Sequence, residues 1–159
     1  MSGCYSVRVR IWLTVLGIVL GVIGVLTYTI KFKNWGAAFA AAVSVVLAII
    51  LTYILVCEKK HKIVDWKKRS FTILLWSGLL IGIVSAVLMT VSLVYAGIKK
   101  QGAGKIDDFY GENLWFSGVW WFVSGKWAFQ IAFFGYQKKK QLFNAPRVEI
   151  EPSVYSLKL

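Results

Sequence analysis

Residues 35–57 read WGAAFAAAVSVVLAIILTYILVC, a stretch of 23 residues without a charge or a proline. A hydrocarbon core about 30 Å thick needs roughly 20 apolar residues in a helix. Inside lipid, every backbone N–H and C=O must find a partner within the protein, so a run this long spans as a helix. Working outward, Lys31 and Lys33 separate it from an apolar block at Ile11–Ile30, and a polar stretch from Glu58 to Arg69 separates it from a third block at Phe71–Ile98. A fourth block, Leu114–Tyr136, is interrupted only by Lys126. The expectation is an all-α membrane protein with four transmembrane helices at about 11–30, 35–57, 71–98 and 114–136. They form one domain, 1–137, followed by a cytoplasmic tail, 138–159. The first block follows Arg8 and Arg10 as a signal peptide would, but it exceeds a usual apolar h-region and lacks a small-residue cleavage site directly after it, so it reads as a retained span.

The 159 residues are 58% hydrophobic, with 8 Trp, 10 Phe and 7 Tyr, and the mean hydropathy is +0.65. The formal charge of +12 sits between apolar blocks instead of on a polar domain surface, which argues against nucleic acid as a partner. Lys and Arg mark cytoplasmic loops. Arg8, Arg10, the Lys59–Arg69 cluster and Lys138–Lys140, Arg147 and Lys158 fall on one side, against Lys31, Lys33, Lys99, Lys100 and Lys105 on the other. Both termini are therefore expected in the cytosol. There Cys4 and Cys57 are expected as free thiols, with Cys4 a palmitoylation candidate. Neither cysteine has zinc-like spacing, and His61 is the single histidine, so no structural metal is expected.

No carboxylate falls within the four blocks; Glu58, Asp65, Asp107, Asp108, Glu112, Glu149 and Glu151 all lie outside them. A proton-coupled exporter of cationic drugs needs an intramembrane acid, so that class is excluded. The intramembrane ionisable residue is Lys126, with Gln130 one turn later on the same face. Such a lysine costs about 2.5–3.5 kcal/mol on insertion scales and is kept beside a partner or a wet path, where it attracts anions. The alternative is a packing role, its ammonium bonded to backbone carbonyls or tyrosine hydroxyls. Trp115, Phe116, Trp120, Trp121, Phe122, Trp127, Phe129, Phe133, Phe134 and Tyr136 crowd the same block. Interfacial belts account for part of this, but flat rings beside a buried cation suit a flat, apolar, anionic ligand such as a porphyrin with two propionates.

Small residues at Gly17 and Gly21, at Gly78 and Gly82, and at Ser124, Ala128 and Ala132 mark close helix approach, within the monomer or between copies. The Lys59–Arg69 cluster suits anionic lipid headgroups. His61, among lysines, reads as a solvated loop residue, with a ligand contact as its alternative.

Within the fourth block, Val119–Phe129 resembles the Trp-x-Phe-x-Ser-x-Lys-Trp-Ala-Phe stretch of the small four-span haem transporters, the haem-responsive-gene family, through Trp120, Phe122, Ser124, Lys126, Trp127, Ala128 and Phe129. The resemblance implies haem transport from the exoplasmic or luminal side to the cytosol, with haem as cargo and no enzymatic cofactor. It also implies a relay through a His or Tyr of the second span, here Tyr53, and an aromatic-basic motif closing the fourth. The matching residues there are Phe134-Gly135-Tyr136-Gln137-Lys138, which keep the character of the family's Phe-Ala-Arg-Lys-Tyr but not its letters. The family's histidine between the third and fourth spans has no counterpart; Lys99, Lys100 and Tyr110 stand in that loop. Tyrosine serves as an axial ligand to haem iron, which makes Tyr53 and Tyr136 the expected iron contacts or, alternatively, interfacial anchors. The expected ligand set is Tyr53, Lys126, Tyr136, Trp120, Trp127, Phe134 and Lys138, with Gln130, Tyr110 and His61 as further haem contacts.

The competing reading from another class is a tetraspan scaffold or accessory subunit that transports nothing; no nucleophile–base pair or phosphate loop suggests an enzyme. The expected partners are haem, membrane lipids and a second copy of the chain. The expected location is the plasma membrane, with an endosomal or lysosomal membrane as the alternative.

Overall fold

The computed structural model describes residues 7–102 and 110–143; Cys4, Lys105, Asp107, Asp108 and the tail from 144 to 159 lie outside the described residues, as do the expectations attached to them. Four helices form: α1, Val7–Leu26, prolonged by one π-helical turn, Thr27–Lys31; α2, Trp35–Lys59; α3, Lys68–Ile98; and α4, Leu114–Phe143. A 3-10 turn, Lys62–Asp65, links α2 to α3, and among the described residues there is no strand. Val7–Lys31, α2 and α3 are long and apolar enough to cross a membrane. α4 has the length but not the hydropathy, which its tryptophans, glycines, serines and Gln130 lower along with Lys126.

Three blocks begin or end within a few residues of the expected limits. The fourth does not: α4 runs on through Lys138–Lys140 to Phe143, so the first residues of the expected tail are helix. Nothing there breaks it before Pro146, Lys and Gln are good helix formers, and basic residues favour the negative end of the helix dipole.

The helices pack in the spatial order α1–α2–α4–α3. Glycines set how closely they approach. A β-carbon at Gly78 would fall 2.7 Å from both the Ala128 carbonyl oxygen and the Ala132 nitrogen, so α3 and α4 meet backbone to backbone. Gly21 receives Val45 of α2, while Gly17 and Gly24 of α1 receive the rings of Trp127 and Trp120 of α4. The small-residue seams are thus filled within the chain. The core runs between α2 and α4 through Leu47, Leu51, Ile54, Leu55, Trp127, Ile131 and Phe134 and closes on Ile63 and Phe71. Cys57 is a buried free thiol in it. Outward-facing Leu16, Leu20, Ile23, Phe39, Ile49, Leu80, Val87 and Phe122 are exposed, as lipid-facing residues are.

Polar links pin α2 to α4 along their length. At one end Asn34 caps α2, its Oδ1 accepting from the Ala37 N–H, and its Nδ2 donates to the Asn113 carbonyl. The Glu112 carboxylate accepts from the N–H groups of Trp35 and Gly36, placing negative charge on the positive end of α2. Midway, the Ser124 hydroxyl donates to the Ala40 carbonyl at 3.1 Å. At the other end Lys138 pairs with Glu58 at 2.7 Å.

Candidate functional site

Between α1, α2 and α4 lies a cavity of about 510 Å³, within the range of small-molecule and cofactor sites. Each helix offers one face at helical spacing. α4 contributes Lys126, Gln130, Phe133 and Gln137, with Trp127 and Phe134 beside them; α2 contributes Leu51 and Leu55; α1 contributes Arg10, Leu13 and Thr14. The cavity exists because α1 faces α4 across tryptophan rings. Trp127 seated on Gly17 and Trp120 seated on Gly24 hold the two backbones a ring apart.

Both ionisable groups at the cavity are cations. The Lys126 ammonium stands 4.4 Å from the centroid of the Trp127 ring, a cation–π contact that neutralises no charge. Lys126 is exposed, and among the described residues the one ion pair is Lys138–Glu58, so no carboxylate offsets it. Among the described residues the Lys126 ammonium makes no hydrogen bond to a carbonyl or a tyrosine hydroxyl. Trp127 is 4% exposed, and its indole N–H is buried without a hydrogen-bond partner. Two cations and the amides of Gln130 and Gln137 on one lining favour a ligand with acceptor oxygens and negative charge.

Of the residues singled out in the sequence, Lys126, Trp127, Gln130 and Phe134 come together here. The others are elsewhere. Trp120 is half-buried against Gly24. Lys138 is engaged by Glu58 and lies 5.8 Å from the Phe134 ring centroid. Tyr53 and Tyr136 are 64% and 51% exposed and point off the cavity-lining faces of α2 and α4. His61 is an exposed loop residue with a left-handed backbone, φ 55°. Tyr110 packs edge-on against Phe32 at the end of the bundle where Asn34 and Asn113 meet, 5.4 Å between centroids. The sequence reading missed Arg10 and Gln137 as lining residues. Their signal was spacing: 10, 13 and 14 repeat one helix face, as do 126, 130, 133 and 137.

A family model described as "Haem-transporter, endosomal/lysosomal, haem-responsive gene" matches residues 71–127, from the start of α3 to Trp127. Among Caenorhabditis elegans proteins, "Heme transporter hrg-4" is 38% identical, the match covering 80% of this chain and 78% of that protein. "Heme transporter hrg-6" is 33% identical across 83% and 81%, and "Heme transporter hrg-5" 31% identical across 90% and 89%. No solved structure matches the chain.

Proposed function

Because the chain belongs to the haem-responsive-gene family of haem transporters, we propose that it carries haem across a membrane and delivers it to the cytosol through the cavity between α1, α2 and α4. On this reading all four helices span the bilayer and both termini face the cytosol. The basic excess at the end bearing Arg10, Glu58 and Lys138 supports that orientation, and the family description supports an endosomal or lysosomal membrane over the plasma membrane.

The observation that carries the proposal is Lys126. It is a cation in the middle of an aromatic-rich helix, lining a cavity and without a counter-charge among the described residues, an arrangement that suits the passage of an anion. Apolar Leu51, Leu55, Phe133 and Phe134 supply flat contact area for a macrocycle, and Gln130 and Gln137 supply amides. Tyr53 and Tyr136 act, in this proposal, at the outer rim of the cytosolic end, after the cavity.

The test is haem-dependent growth of a haem-requiring host expressing the chain. Lys126→Met is expected to abolish growth at limiting haem with unchanged membrane abundance, and Lys126→Arg to keep most of it. Growth that survives Lys126→Met removes the cavity from the path and returns the lysine to a packing role.

A further inference from the structure

The cavity holds a cation at each of two depths. Gly17 receives the Trp127 ring and Gly24 the Trp120 ring, so α1 and α4 run antiparallel in step, seven residues against seven. That register carries Arg10 to the depth of Phe134, eight residues from Lys126 along α4, which is about 12 Å at 1.5 Å per residue. Both side chains sit on long flexible stems and both line the cavity. Iron in haem proteins is taken by His, Cys, Met or Tyr. Among the described residues lining the cavity there is none of these.

We infer that the cavity recognises a tetrapyrrole by its two carboxylate arms, with Arg10 and Lys126 as the cationic contacts, and leaves the metal at the centre of the ring unligated. The inference rests on the haem-transport reading and says which part of the cargo is read. The Arg10 guanidinium offers a planar fork matched to a carboxylate. Lys126 exchanges its contact with the Trp127 ring for a charged acceptor, and the amides of Gln130 and Gln137 are further donors on the lining. Arg10 is therefore a specificity-determining residue in addition to its part in orienting the chain.

The experiment uses the full chain in detergent micelles and three probes: haem, metal-free protoporphyrin IX and the dimethyl ester of that porphyrin. Binding is read as quenching of tryptophan fluorescence and by competition. Metal-free protoporphyrin is expected to bind within about threefold of haem, and the dimethyl ester about tenfold or more weaker, since it lacks the charged acceptors. Arg10→Met is expected to weaken haem and protoporphyrin alike by about tenfold, with part of the loss restored in Arg10→Lys. Haem binding that metal-free porphyrin fails to compete, an ester that binds as tightly as the acid, or an Arg10→Met chain with unchanged affinities each overturns the inference. The comparison of the three probes on the unaltered chain decides the matter even if a variant fails to fold. Failure of haem itself to bind the unaltered chain sinks the transport reading instead.

Discussion

The ring of Trp127 occupies the hollow left by Gly17: a β-carbon at residue 17 would lie 2.6 Å from Trp127 Cζ2. Trp127 is buried in the core and lines the cavity, so it has little room to retreat. Gly17→Ala is expected to cost about 1–3 kcal/mol of stability and to lower haem uptake, read by thermal unfolding in micelles and by growth at limiting haem. Gly97→Ala is the control, because nothing lies within 4 Å of that position; it should be neutral or gain up to about 1 kcal/mol of helix propensity.

Gly78 and Gly82 separate two kinds of close approach. At Gly78 the neighbours are backbone atoms of Ala128 and Ala132, whereas at Gly82 the neighbour is the ring of Phe129, which is 43% exposed and free to turn outward. Gly78→Ala is expected to be the more damaging by about 1–2 kcal/mol, measured as the difference in unfolding midpoint. Equal effects would mean that α3 slides on α4 as easily as a side chain rotates.

Lys138 pairs with Glu58, each about one-fifth exposed, and the second carboxylate oxygen of Glu58 is buried without a partner. Lys138→Met alone leaves that carboxylate uncompensated and is expected to cost about 1–2 kcal/mol, with roughly half recovered in the Glu58→Gln/Lys138→Met double variant. Uptake recovering with stability assigns Lys138 to holding α2 on α4; uptake that stays lost in the stabilised double variant assigns it to haem.

Asn34 both caps α2 and reaches the Asn113 carbonyl, and it is fully buried. Asn34→Ala is expected to cost about 1–2 kcal/mol, while Asn34→Asp, which keeps the cap and loses the donor, falls between. Hydrogen exchange at Ala37, whose N–H the cap receives, should rise in the alanine variant and much less in the aspartate one.

His61 holds a left-handed backbone at φ 55°, a conformation that costs a side-chain-bearing residue about 1 kcal/mol and glycine nothing. His61→Gly is expected to leave stability unchanged or raise it by up to about 1 kcal/mol, with haem-dependent growth intact. A clear loss of growth at full abundance would make the imidazole a ligand on the way out.

The helices were legible because long charge-free runs have one solution in lipid, and Lys126 was legible because it interrupts one. Facing was not. α2 is apolar all round, so period alone separates Leu51 and Leu55 from Tyr53 without saying which side turns inward. The structure gives the cavity to the leucines and the outer surface to the tyrosine. Arg10 stood in the sequence as a charge that orients the chain, since its place at the depth of Phe134 depends on the α1–α4 register, and that register is written in glycines and tryptophans 96 and 110 residues apart. The extension of α4 to Phe143 was hidden by Lys138–Lys140, which read as tail by charge although nothing in them stops a helix.

The pinning of α2 to α4 at Asn34, at Ser124 and at Glu58 makes those two helices a single stiff post. α1 leans on that post through α2 and meets α4 by rings resting in glycine notches. Any widening of the cavity therefore falls to the seam between α1 and α4, where ring packing and not the α2–α4 links has to give.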